Sequence, residues 1–116
     1  MLVDGKWVAN WQPVQKADEK GRFVRQVSSF RNWITADGSA GPTGEGGFKA
    51  EAGRYRLYVA LICPWASRTL IGRALKGLEA LVPVTVVNPV LTDQGWAFGG
   101  YPGADADPLF GASYMH

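Results

Sequence analysis

The chain's single cysteine, Cys63, stands in "LYVALICPWASRTLIG", where an apolar run meets a proline. Three residues later, where a dithiol protein would carry its second cysteine, there is Ala66. Pro64 suits the first position of a helix, because its missing N–H has no intrahelical partner there in any case. Cys63 then occupies a strand-to-helix turn. The unpaired N–H groups of a first helical turn, and the helix dipole, both favour negative charge, which for a thiol means the nucleophilic thiolate. A thiolate so placed can attack a disulfide sulfur, or a thioether attached to a good leaving group. With Ala66 in place of a resolving cysteine, a mixed disulfide on Cys63 needs an outside thiol, and glutathione is the abundant cytosolic one. The residues therefore read as a monothiol, glutathione-coupled transferase or reductase. The competing reading makes Cys63 a small buried hydrophobe, as free cysteine often is; the Cys-Pro pair opening a helix argues against deep burial. One cysteine and one histidine, His116 at the last position, give too few ligands for a metal site.

The elements that must hold this turn are legible from Arg54 onward. "YRLYVALI" alternates and then becomes apolar, as a buried strand does, and predicts a strand over 55–62. Ala66, Leu70, Ile71, Ala74, Leu75 and Leu78 recur at helical spacing with Arg68, Arg73 and Lys76 opposite, and predict a helix over 64–78 that ends at Gly77. "LVPVTVVNP" is rich in β-branched residues and predicts a second strand over 82–88. Strand, helix and strand with short links imply a parallel, right-handed βαβ unit. The second strand is expected to present an open edge. Beyond Pro89 a loop is expected, and "LFGASYMH" reads as the beginning of a helix.

Residues 1–53 carry less pattern. "GKWVANWQPV" and "GRFVRQVSSF" can each hold a short strand, with Trp7, Trp11, Phe23 and Phe30 as anchors around the charged turn KADEKG. "RNWITADGSAGPTGEGGF", residues 31–48, is rich in glycine and turn formers and reads as a long loop, either a covering for a site or a linker. No internal repeat is visible.

The bulk numbers bound the rest. With 116 residues the chain makes one small domain; 47% apolar residues allow a core, which 15 Gly and 7 Pro dilute. A net charge of +2, from 12 basic and 10 acidic residues, shows no electrostatic footprint for nucleic acid, and no basic stripe accompanies the five tryptophans. The opening MLVDGKWVANWQP has an early Asp4 and no continuous apolar segment, so no signal peptide is read there. No apolar run approaches a membrane span. The lone cysteine favours a reducing compartment, the cytoplasm.

Three stretches together resemble a known family: "LYVALICPWASRTLIGRALKGLE", "VVNPVLTDQGWAF" and "FRNWITADGSAGPTGEGGFKAEAGRYRLY" are similar to the glutathionyl-hydroquinone reductases, the Xi class of glutathione transferases. The match spans residues 20–116. The resemblance implies an α/β, thioredoxin-like fold followed by an all-helical domain, with residues 1–53 as an extension and 54–116 as the first part of the thioredoxin-like domain. It implies that Cys63 is the nucleophile, attacking the sulfur of a glutathionyl-hydroquinone, and that a second glutathione resolves the resulting mixed disulfide. It implies that Trp96, in "QGWAF", contacts glutathione; the alternative is a hydrophobic plug for its loop. Pro64 and Trp65 shape the turn, and Arg68 either helps hold the thiolate or lies on a solvated helix face. Glutathione is then the co-substrate and glutathionyl-hydroquinones are the substrates, with no metal and with a homodimer for the full-length members. Members are much longer, and the resemblance would place the second half of the thioredoxin-like domain and the helical domain after residue 116. Two other readings compete: a broader monothiol transferase of the glutaredoxin or omega kind, and a non-catalytic fragment.

Overall fold

A computed structural model of the chain describes residues 2–3, 5–8, 16–17, 19–24 and 30–116. In chain order the elements are β1 (Leu2–Val3), β2 (Lys6–Trp7), β3 (Lys16–Ala17), β4 (Phe23–Val24), β5 (Trp33–Thr35), β6 (Gly47–Lys49), β7 (Leu57–Val59), α1 (Pro64–Leu75), β8 (Val84–Val86), β9 (Leu91–Thr92) and β10 (Gly95–Trp96). They fall into two compact units, Met1–Trp11 with Ala52–His116, and Gln12–Glu51.

The first unit is built on the β7–α1–β8 crossover. β7 and β8 pair in parallel, with Leu57 opposite Val84, Tyr58 opposite Thr85 and Val59 opposite Val86. Two parallel neighbours cannot be joined by a tight turn, and α1 supplies the crossover. The helix begins at Cys63, whose backbone is extended, with Pro64 behind it. It ends where Gly77 takes φ +63°, a conformation glycine adopts without steric penalty. There the Gly77 N–H donates to the Ala74 carbonyl and the Leu78 N–H to that of Arg73, closing the last turn in a Schellman pattern. Arg73 then reaches forward: its Nε donates to the Val82 carbonyl at 2.6 Å and its Nη2 to that of Glu79 at 2.9 Å, which ties the helix end to the approach of β8.

The apolar core is small. Among the described residues Val59, Ala60 and Val87 are its buried hydrophobic members, and the buried Thr85 hydroxyl accepts from Arg56 Nη1 at 2.9 Å. The strands are shorter than the apolar runs predict, because Leu61 and Ile62 lie in a turn and are exposed. The helix face also differs from the sequence expectation. Ala66 and Leu70 are half-buried, but Ile71, Ala74 and Leu75 face solvent, and Arg73, assigned to the outer side, is half-buried through its two carbonyl contacts.

The outer edge of β8 is not open as expected. Asp105 covers it at Val86: the Asp105 N–H donates to the Val86 carbonyl at 2.8 Å, and the Val86 N–H donates to Asp105 Oδ2 at 2.7 Å. The predicted terminal helix is absent. Asp107 instead gathers the segment around its carboxylate, which accepts N–H bonds from Leu109, Phe110 and Ala112, each at 3.1 Å, and the Tyr58 hydroxyl at 3.3 Å. A short side chain that satisfies local backbone donors competes with helix formation, and here it prevails. Burial opposes the charged form of Asp107, but the three N–H donors and the Tyr58 hydroxyl outweigh it and hold the carboxyl below its ordinary range. The same pairing raises the Tyr58 phenol, through burial first and the neighbouring Asp107 charge second, with Arg56 opposing. Trp7 joins this unit by stacking on His116, ring centres 4.0 Å apart, and His116 stacks in turn near Tyr114.

The second unit corrects the reading of residues 31–48 as plain loop. β5 and β6 form a parallel pair, Trp33 opposite Gly47 and Thr35 opposite Lys49, and the Ala50 N–H extends the ladder to the Thr35 carbonyl. The intervening turn is held by side chains: Thr35 Oγ1 donates to the Ser39 carbonyl and accepts from the Gly38 N–H, while Asp37 Oδ1 accepts both the Ser39 hydroxyl and its N–H. Those bonds, the Ser39 hydroxyl foremost, lower the Asp37 carboxyl. Gly47 has a steric reason, since a Cβ there would overlap the Ser39 carbonyl oxygen. β3 and β4 make a short antiparallel pair. Of the four expected aromatic anchors, Phe30 is 91% exposed and anchors nothing, and Trp11 lies outside the described residues.

Candidate active site

Cys63 is the N-cap of α1, reached through the turn after β7. Its own N–H is used, donating to the Ala60 carbonyl at 2.9 Å, and its carbonyl accepts the first helical bond from the Ser67 N–H at 3.2 Å. The thiol makes no capping hydrogen bond and is half-buried, so its sulfur is neither spent on the helix nor sealed in the core. No acidic side chain stands in the first turn of α1 to oppose an anion at this end. Pro64 sits at the helix start and Trp65 is 58% exposed beside it. Arg68 is exposed, as the solvated-face reading expects.

Trp96 arrives from the other strand. After β8 the chain turns through Asn88 and Pro89 into the β9–β10 hairpin, where the sequence predicts a loop. Trp96 pairs with Leu91 there, is half-buried, and its carbonyl accepts the Met115 N–H at 3.0 Å. Segment 113–115 runs antiparallel to 96–98, with a bridge between Ala97 and Tyr114 and a bond from the Phe98 N–H to the Ser113 carbonyl. Cys63 and Trp96 thus both follow the carboxyl ends of paired parallel strands, the end of such a sheet where ligands bind in open α/β folds. The strands are locked together at that end by the bond from the Val87 N–H to the Val59 carbonyl, 2.8 Å.

A cavity of about 280 Å³ lies elsewhere in this unit, lined by Tyr58, Phe98, Asp107, Phe110, Tyr114 and others; neither Cys63 nor Trp96 borders it. Among the described residues, no three His, Cys, Asp or Glu side chains gather as metal ligands would. No helix among the described residues is long and apolar enough to cross a membrane.

With this geometry in place, known proteins give the context. The chain is 51% identical, over 99% of its length, to the glutathionyl-hydroquinone reductase YqjG of Escherichia coli, and 41% identical over its whole length to the glutathionyl-hydroquinone reductase PcpF of Sphingobium chlorophenolicum. Over its whole length the chain corresponds to the N-terminal part of proteins named glutathionyl-hydroquinone reductases. The glutathione-bound structure of the Escherichia coli protein, a glutathione transferase homologue, superposes on 74% of this chain with a TM-score of 0.69 at 57% identity. The α/β architecture is therefore the thioredoxin-like one of glutathione transferases, represented by its N-terminal part. The chain spans about a third of the length of these relatives, 35% and 33% respectively. No protein-family model matches it.

Two residues that hold the Trp96 segment carry no assignment in the sequence analysis. Asn88 bonds to three points of the Trp96 segment, and Asp107 organises the strand that backs it. The Asn-Pro pair was visible, but the reach of an amide side chain eleven residues along the chain carries no periodic signal.

Proposed function

We propose that this chain carries the nucleophilic half of a glutathione-dependent reduction of glutathionyl-hydroquinones. The Cys63 thiolate attacks the sulfur of the glutathionyl group. A Cys63–glutathione disulfide forms as the bond between sulfur and ring carbon breaks, and the ring carbon keeps the electron pair and takes up a proton to give the hydroquinone. A second glutathione thiolate attacks the glutathione sulfur of the mixed disulfide, giving oxidised glutathione and returning Cys63. Trp96 contacts glutathione during both steps. The cytoplasm, where glutathione is reduced and abundant, is the fitting compartment.

The observation that carries this reading is the position of Cys63: a lone, half-buried thiol at a helix N-terminus, unused by the cap and without a neighbour that could resolve a disulfide. The relatives named for this reaction, and the one solved with glutathione, support it. Incubation with a glutathionyl-hydroquinone, followed by chromatography for hydroquinone and intact-protein mass spectrometry, tests it. Hydroquinone release with one glutathionyl group on Cys63 is expected, and Cys63→Ser should lose both, because a serine hydroxyl is a far weaker nucleophile at neutral pH. Hydroquinone release that survives Cys63→Ser, or a native chain that never acquires the glutathionyl group, would refute it.

A further inference from the structure

We infer that Asn88 is the positioning residue of the site, fixing the Trp96 hairpin to the carboxyl end of β8. Three of its polar groups bond to the segment that carries Trp96. The backbone N–H donates to the Ala97 carbonyl at 2.9 Å, one residue past the tryptophan. Side-chain Nδ2 donates to the Gly99 carbonyl at 3.1 Å, and Oδ1 accepts the Val90 N–H at 2.9 Å. Asn88 therefore grips the hairpin both before β9 and after β10, closing the 90–99 segment into a loop whose ends meet at one side chain. A second tie to β8 acts at the far end of the segment, where the Gly99 N–H donates to the carbonyl of Asp105, itself bonded to Val86; Asn88 bonds both ends. The contacts from Ser113 and Met115 hold residues 96–98 from the other side, and the bonds of the Thr92 hydroxyl lie within the hairpin tip. On the β8 side, the preceding residue is Val87, buried and bonded to Val59, so Asn88 attaches next to a fixed, buried point of the unit. A donor and an acceptor on one short planar group are both needed, which an aspartate, with acceptors only, does not offer. Asp at this position would keep the bond from Val90 and set a carboxylate against the Gly99 carbonyl.

This inference rests on the proposed contact of Trp96 with glutathione, and the experiment separates the two. The chain is labelled with ¹⁵N, Cys63 is loaded with glutathione as the mixed disulfide, and the indole N–H signal of Trp96, assigned by its loss in Trp96→Phe, is compared before and after loading. In the native chain the signal should move on loading. In Asn88→Ala and Asn88→Asp, each loaded to completion with one glutathionyl group by mass, most of that movement should be lost. Hydrogen exchange at the Val90 amide should quicken about fivefold in Asn88→Ala, the effect of one lost hydrogen bond, and stay slow in Asn88→Asp. A merely stabilising Asn88 would lower the melting temperature and leave the glutathione-induced movement intact; that result overturns the positioning role. A Trp96 signal that does not respond to loading in the native chain removes the glutathione contact itself, and the positioning role falls with it.

Discussion

Val87 offers the sharpest test of how the site is supported. Its side chain is 1% exposed, it follows β8 directly, and its N–H closes the last parallel bond to Val59. Val87→Ala removes two methyl groups from the core and leaves that backbone bond in place. Transfer alone is worth about 0.8 kcal/mol per buried carbon, so about 1.6 kcal/mol, and the space left unfilled brings the expected loss to roughly 2–3 kcal/mol. For 116 residues at about 0.05–0.15 kcal/mol each, total stability is of order 6–17 kcal/mol, and a core this small points to the lower end. One alanine thus takes about a third of it. In urea, with a slope near 1 kcal/mol per molar for a small domain, the unfolding midpoint followed by far-ultraviolet circular dichroism should fall by about 2 M. Leu75→Ala is the control: Leu75 is 81% exposed although the helical pattern assigned it inward, and its loss should stay within about 0.5 kcal/mol. Equal effects at the two positions, or a Val87→Ala cost below about 0.5 kcal/mol, would show that the unit is not organised around Val59 and Val87.

The pH dependence follows from Asp107. Its folded carboxyl lies below the ordinary value, so its contribution is fully present above that value and is lost as pH falls through the folded one; the stability gap between the native chain and Asp107→Asn should narrow as pH is lowered from 6 toward 3, and a gap constant over that range would refute the role of the ionised group. In the second unit, Gly47→Ala should disrupt the β5–β6 pair, seen as the loss of slow exchange at the Ala50 amide, whereas Gly44→Ala meets nothing in space and should cost only the strain of its positive φ, so equal exchange at Ala50 in the two variants would remove the steric argument. Cys63→Ser should prevent glutathionylation altogether while leaving the unfolding midpoint nearly unchanged, because the thiol makes no capping bond; a large loss of stability would instead make the sulfur a packing group.

The turn that presents Cys63 was legible because each of its signals is local. An apolar run, a proline at the helix start and a glycine past its end each specify backbone conformation over a few residues, and the βαβ order follows from their sequence. The burial of the helix was not legible. Ile71 and Leu75 recur at the right spacing, yet periodicity reports which residues share a face and not whether anything in the described chain covers it. The β5–β6 pair was hidden for a related reason. Its ladder is three residues long, and the turn that closes it is set by the Thr35, Asp37 and Ser39 side chains rather than by a hydrophobic alternation. The terminal segment misled in the opposite direction, since helix-compatible residues lost to one carboxylate that satisfies three backbone donors.

The same distinction separates the two halves of the candidate site. Cys63 is placed by regular structure, so its position is as firm as the helix it caps. Trp96 is placed by a two-residue strand pair whose link to the sheet runs through side-chain amide bonds at Asn88 and through the segment that Asp107 folds back. Polar contacts of this kind contribute about 1 kcal/mol each, against several for a packed core residue, so the tryptophan side of the site should open at a lower free energy than the thiol side.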